Sequence, residues 1–225
     1  QLANEDAPSV GSVRESGILE YTNVLGLGDR FTAEIGFTEG VDSYDFRYAV
    51  PLNARDGTLA LRYQDSNSKV IEDPFSVLDI RGKTRAFSVD FRQPLHRTPT
   101  NEFALGLSLD FRRSRTFLFE DIPFSFSLGP DNGESKVSVL RFSQDWIDRS
   151  PRRVLAARSQ FSLGLDAFGA TINEDAPDGR FVSWVGQFQW VQALGEVISI
   201  ARITTQLTGD SLLPLEQFSV GGIDT

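Results

Sequence analysis

The 225 residues contain no cysteine and one histidine, and only three of the 22 basic side chains are lysines (Lys69, Lys83 and Lys136). Without cysteine there can be no disulfides, thiolate metal sites or cysteine nucleophile. No apolar run reaches the length of about 18 residues that a transmembrane helix needs. That absence leaves a membrane barrel open, because barrel strands alternate and give a much weaker hydropathy signal. A basic excess is missing too: 31 acidic side chains outnumber the 22 basic ones, for a net charge of −9. The electrostatic footprint of a nucleic-acid binder is therefore absent, and no nucleic-acid partner is expected. The opening QLANEDAPSV has neither the basic region nor the apolar core of a signal peptide. The chain reads as mature or as a piece whose front part has been removed.

Catalytic chemistry has little to draw on. His96 stands between Pro94 and Pro99 in what reads as a turn, where a histidine is ordinarily solvated and not a general base. No HExxH, phosphate-binding loop or dinucleotide fingerprint occurs in a meaningful context. The acidic stretch NEDAPDG (173–179) offers oxygen ligands for Ca²⁺ but lacks the regular ligand spacing of a calcium loop, so a solvated surface loop is the simpler reading. No enzyme, cofactor, metal or catalytic residue is expected.

What the chain does have is period two. In RFTAEIGFT, Phe31, Ala33, Ile35 and Phe37 face one way and Arg30, Thr32, Glu34 and Gly36 the other. SYDFRYAV, AFSVDFRQ, FALGLSLDFRR and LAARSQFSLGLD repeat the pattern, which is that of strands with one apolar face. About ten or eleven strands are expected, several of about 9–12 residues, nearer to a bilayer-spanning strand than to the usual soluble one. Compact links (24–29, 51–57, 94–102, 147–153 and 193–196) alternate with EGVD (39–42) and three long ones (66–80, 116–134 and 167–179). Short turns on one side and long loops on the other are the habit of an outer-membrane barrel. Tyr44, Trp146, Trp184 and Trp190 suit its interfacial girdles, although core aromatics of a sandwich would look the same. Two strands resist. In KVSVLRFSQDW, Val137 and Val139 fall in one phase and Leu140, Phe142 and Trp146 in the other, which calls for a β-bulge near Val139 or another reading of the strand. EVISIARITTQL is similarly mixed.

The polar faces carry charges of both signs. Arg30, Glu34, Asp45, Arg47, Arg62, Asp90, Arg92, Asp110, Arg112, Arg158 and Asp166 would all point to one side. A dry sandwich core could hold them only at a heavy desolvation cost, whereas a barrel lumen accepts them. A soluble sheet with this face in solvent would have to bury the opposite faces of about ten long strands elsewhere.

The closing stretch LLPLEQFSVGGIDT (212–225) resembles the segment that, in the outer-membrane transporters of two-partner secretion (the TpsB or haemolysin-activator family, ShlB/FhaC/HecB-like), leads into a Val-Arg-Gly-aromatic motif. Segments 9–31, 48–63, 92–117, 140–150, 193–203 and above all LAARSQFSLGLDAFGATINEDAPDGRFVSWVGQFQWV (155–191) are similar to the same family. The resemblance implies an all-β fold, an antiparallel transmembrane β-barrel of which this chain holds about ten or eleven of sixteen strands. On this reading the whole chain is one partial barrel domain. The periplasmic POTRA domains and the last strands would lie outside it, and the motif just beyond Thr225. Phe218, Gly221 and Gly222 would approach that motif on a loop folded into the lumen. The resemblance further implies a bacterial outer-membrane location and export of a large TpsA-type exoprotein, unfolded and without ATP, through a monomeric barrel. Lipids and lipopolysaccharide would be its surroundings. A BamA-like assembly factor, a general porin and a soluble β-sandwich binding module are the alternatives.

Overall fold

The computed structural model describes residues 2–3, 11, 13–119, 121–174 and 177–218. The alternating stretches become one antiparallel sheet. In chain order its strands are β1 (Leu2–Ala3), β2 (Arg14–Thr22), β3 (Arg30–Phe37), β4 (Val41–Pro51), β5 (Thr58–Lys69), β6 (Arg81–Arg97), β7 (Asn101–Leu118), β8 (Ile122–Pro123), β9 (Glu134–Ser150), β10 (Arg153–Leu165), β11 (Val182–Leu194) and β12 (Val197–Thr208). Each pairs with its neighbour in sequence, except that the short β8 sits on β7 and leaves β7 free to pair with β9. Among the described residues β1 and β12 do not meet. The sheet is therefore open, an all-β antiparallel wall that makes up part of a transmembrane barrel.

Strands β6, β7 and β9 run to 17, 18 and 17 residues, longer than the sequence pattern suggests. For β9 the added residues come from the expected link 147–153, and for β6 and β7 chiefly from the stretch 94–102. Pro94 has no N–H to give to the ladder, the register slips between Pro94 and His96, and pairing then resumes with His96 opposite Phe103. His96 thus belongs to a strand beside a bulge, not to a turn. The turn itself shrinks to 98–100, where the Asn101 amide donates to the Thr98 hydroxyl at 2.9 Å. No bulge occurs near Val139, and β9 keeps one register with both neighbours from end to end.

The connections sort by end. Links 23–29, 52–57, 98–100, 151–152 and 195–196 close one end, and 38–40, 70–80, 119–133 and 166–181 the other. The tightest is Gly195–Glu196, where Gly195 takes a φ of +69°. A positive φ at the first of two turn residues is the mirror-type turn that matches strand twist, and glycine adopts it without a Cβ clash.

Rows of paired residues show what each face meets. Leu59, Phe91, Leu107, Phe142 and Phe161 form one row, and Leu61, Val89, Leu109, Leu140 and Leu163 the next. Many of these side chains are exposed, Leu107 at 47% and Phe161 at 49%. Among the described residues no second layer covers them, so hydrocarbon is the solvent this face suits. Trp146, Trp184 and Trp190 share the apolar face, as does Tyr44, whose ring meets Phe37 edge-on at 6.0 Å. The indole of Trp184 lies over Gly186, and its Nε1 donates to Ser159 Oγ at 3.0 Å, so neither polar group is left bare in the apolar band. β12 stays mixed, with Ile198 and Ile200 on the same face as Arg202 and Thr204.

Candidate functional site

The opposite face is lined by arginine. Arg47, Arg62, Arg92, Arg112, Arg141 and Arg158 stand on β4, β5, β6, β7, β9 and β10, one to a strand, around an open cavity of about 560 Å³. Register puts them on one face: Arg47 opposes Arg62, Asp110 opposes Val139 two positions from Arg141, and Arg158 opposes Asp145. Strand alternation alone brings these groups together, because residues two apart share a face.

Carboxylates interleave with the guanidinium groups. Arg62 Nε donates to both oxygens of Asp45 at 3.0 Å, and Gln64 Nε2 adds a bond to the same carboxylate at 3.1 Å. Arg92 Nη2 reaches Glu102 at 2.5 Å, and Arg158 Nη1 lies 3.6 Å from Asp145. Arg14 lies 3.8 Å from Glu34, and Arg30 lies 3.4 Å from Glu20. Asp90 accepts from the Ser88 hydroxyl at 2.7 Å. These groups are half-exposed, and such pairs contribute at most about 1 kcal/mol each.

Arg141 is different, because its side chain is only 11% exposed. Its Nε donates to Asp110 at 2.5 Å, its Nη1 to Ser162 Oγ at 2.8 Å, and its Nη2 to both oxygens of Glu216 at 2.8 Å. Glu216 does not belong to the sheet. It ends a short 3₁₀ turn (Pro214–Glu216) in the segment that follows β12 and returns across this face. Arg112 donates to the Leu215 carbonyl at 3.3 Å, and Gln206 ties both ends, giving its Nε2 to the Glu216 carbonyl and accepting the Phe218 amide, each at 2.8 Å.

Beside this clamp lies the described residues' buried apolar cluster: Val137, Val139, Phe181, Leu212 and Leu213, with Leu215 against it. It explains why β9 defies a simple pattern. Val137 and Val139 do sit on the polar face, in phase with Arg141, Ser143 and Asp145, and they are apolar because the returning segment covers them. Gly164 admits the cover: a Cβ there would stand 2.1 Å from the Gly179 carbonyl and 2.5 Å from the Phe181 ring. Gly129 has a φ of +106°, and a Cβ there would stand 2.6 Å from Leu213.

Of the face residues expected from sequence, Arg30, Glu34, Asp45, Arg47, Arg62, Asp90, Arg92, Asp110, Arg112 and Arg158 share this face. Asp166 lies one residue past the end of β10. Phe218 ends the described returning segment and is 45% exposed. Gly221 and Gly222 lie outside the described residues. In the 173–179 loop, Asp178 is engaged by Arg180 at 2.8 Å, and Asn173 Nδ2 donates to the Gly129 and Pro177 carbonyls at 2.8 and 2.7 Å. Sequence reasoning missed Arg141 and Glu216. The odd-numbered phase of β9, with Arg141, Ser143 and Asp145, was the available signal for the first; nothing local marked the second.

Residues 1–225 match the family described as haemolysin secretion/activation protein ShlB/FhaC/HecB. No curated protein matches the chain significantly. Among solved structures it is similar to CdiB from Escherichia coli (TM-score 0.79, 21% identity), covering 98% of this chain and 42% of that one. It is also similar to CdiB from Acinetobacter baumannii (0.68, 14%), covering 93% and 38% of the two chains. A third likeness is to BamA from Haemophilus ducreyi lacking POTRA domains 1–3 (0.62, 14%), covering 95% and 42%. The chain spans less than half the length of each, and at these identities the likeness speaks for the fold.

Proposed function

This chain belongs to the ShlB/FhaC/HecB family of haemolysin secretion/activation proteins, and from that premise we propose that its sheet is a stretch of wall in a pore that secretes a large partner exoprotein. The family's members are outer-membrane β-barrel transporters of two-partner secretion. In this reading the arginine face is the lumen wall, lined by the ten strand-borne charged residues from Arg30 to Arg158, with Asp166 at its long-loop mouth. The returning segment is the base of a loop that fills the lumen at rest.

The observation that supports the reading best is the combination of one arginine per strand with a segment folded onto them and held through Glu216. A passing chain needs contacts strong enough to enter and weak enough to leave. Half-exposed guanidinium groups, most of them already shared with a carboxylate, suit an unfolded chain that slides from one to the next. Such a passage draws on no nucleotide, and release outside the cell is what would activate the partner. A monomeric barrel, completed by strands outside this chain, is sufficient.

The test is export by the intact protein, co-expressed with the product of its neighbouring gene, with that product measured in the medium. The comparison is the variant Arg47→Gln/Arg62→Gln/Arg92→Gln. Export by wild type that falls several-fold in the variant, at equal outer-membrane level, supports the reading. Undiminished export by the variant removes the lumen assignment. If wild type exports nothing, yet its depletion lowers other outer-membrane proteins, the barrel serves assembly instead.

A further inference from the structure

The apolar face ends abruptly at the long-loop end of the sheet. Above the row Tyr63, Phe87, Phe111 comes Asp65, Arg85, Arg113, Lys136, and above that Asn67, Lys83, Arg115, Glu134. A third row pairs Lys69 with Arg81. All three lysines of the chain thus stand within three successive rows on the outer side of β5, β6 and β9. Among the described residues, seven cations meet three carboxylates there (Asp65, Asp79 and Glu134), in a chain whose net charge is −9.

The carboxylates are oversubscribed. Glu134 alone takes Arg113 at 2.8 Å and Arg115 and Lys136 at 2.6 Å, while Asp79 is shared by Lys69 at 3.0 Å and Arg81 at 2.7 Å. Arg113 Nε is buried and finds no acceptor among the described residues. Lys83 makes no ion pair there; its ammonium lies 5.6 Å from the centre of the Phe117 ring. The site therefore has spare donors around Arg113, Arg115 and Lys83, on adjacent strands about 5 Å apart.

Its height fits a membrane boundary. From the Phe103–Trp146 row to the Arg113–Lys136 row is ten residues along β7, about 33 Å of strand. At the tilt usual for such barrels this projects to about 25 Å, the height of an outer-membrane apolar band. The rings just below are aromatic: Phe87 and Phe111 stack at 6.3 Å, and Phe168 stands edge-on to Phe111 at 4.9 Å. Long loops mark the outer surface, so the cations lie at the head-group level of the outer leaflet.

We propose that this patch binds the phosphates of a phosphorylated, multiply acylated glycolipid of the outer leaflet, of the lipopolysaccharide class. Guanidinium forks match phosphate oxygens in pairs, while the exposed rings and leucines below accept acyl chains. A sugar backbone with two phosphates can bridge cations on neighbouring strands, which a single-phosphate lipid cannot. The proposal rests on the barrel standing in the outer membrane and not on what passes through it.

The experiment uses the purified full-length protein in detergent and native mass spectrometry, with three probes: diphosphorylated lipid A, the same lipid stripped of both phosphates, and phosphatidylglycerol. Lipid A is expected to bind best. Lys83→Gln/Arg113→Gln/Arg115→Gln should weaken it by about tenfold or more, with heat-modifiable gel mobility confirming that the barrel is intact. Glu134→Gln frees three cations and should tighten it by about two- to threefold. Equal binding of the dephosphorylated lipid, or unchanged binding by the triple variant, overturns the proposal. Equal binding of phosphatidylglycerol overturns the glycolipid assignment. Partner export measured on the triple variant keeps this outcome separate from that of the secretion reading, since the patch faces away from the lumen.

Discussion

Arg141 and Glu216 stand 75 positions apart, yet Arg141 Nη2 donates to both carboxylate oxygens of Glu216 at 2.8 Å. The other guanidinium donors are spent on Asp110 and Ser162, within the sheet. Among the described residues the returning segment has no ladder of its own, only a single parallel bridge between Asp178 and Leu212. A buried ion pair therefore joins a rigid strand to a segment that backbone pairing scarcely holds.

Breaking that pair should release the segment. Losing one partner of a buried charge pair costs about 3–5 kcal/mol, because the other is left desolvated. Glu216→Ala in the full-length protein should therefore raise open-channel conductance in planar bilayers. Glu216→Gln keeps acceptor and shape and should fall between. Unchanged conductance in Glu216→Ala would mean that the apolar cluster alone holds the segment.

The cluster can be tested separately at Leu213, which is fully buried between β9 and the 166–181 loop. Truncating a leucine in such a place costs about 2–5 kcal/mol. Leu213→Ala should speed protease cleavage within 209–218 while leaving the barrel's melting temperature unchanged. Leu128→Ala, at a side chain 79% exposed, should change neither.

How far the sequence alone leads is set by where each residue's environment comes from. Strands such as β3 and β7 were legible because both faces answer to solvents that run the length of the strand, lipid on one side and polar space on the other. His96 was misplaced because prolines mark turns and bulges alike, and only the resumed pairing with Phe103 tells them apart. Val137 and Val139 read as a fault in phase because their cover, Leu212 and Leu213, arrives from a remote part of the chain. Glu216 carried no local sign at all, since a carboxylate in a proline-led turn is ordinarily solvated. The lysines showed only as scarce; their gathering in three rows depends on registers that one strand's pattern does not contain.

A last expectation concerns acid. Asp29 closes the β2–β3 link, where it is 1% exposed. Burial pushes its carboxyl up, but the hydrogen bonds from the Tyr48 hydroxyl and the Leu25 and Leu27 amides outweigh this and hold it below its ordinary value. A carboxyl depressed on folding contributes stability that is complete above its unfolded pKa and fades as pH falls through the folded one. The turn should thus be unaffected from neutral pH down to about 4 and loosen below that. Hydrogen exchange at the Leu25 and Leu27 amides measures it: corrected for intrinsic rates, protection should drop as the pH falls below about 4. Asp29→Asn should show the low protection already at pH 7 and no further fall with acid. Protection that stays constant through this range would mean the turn is held by the glycines and Asn23 alone, whose side chain accepts from the Gly28 amide at 2.9 Å at any pH.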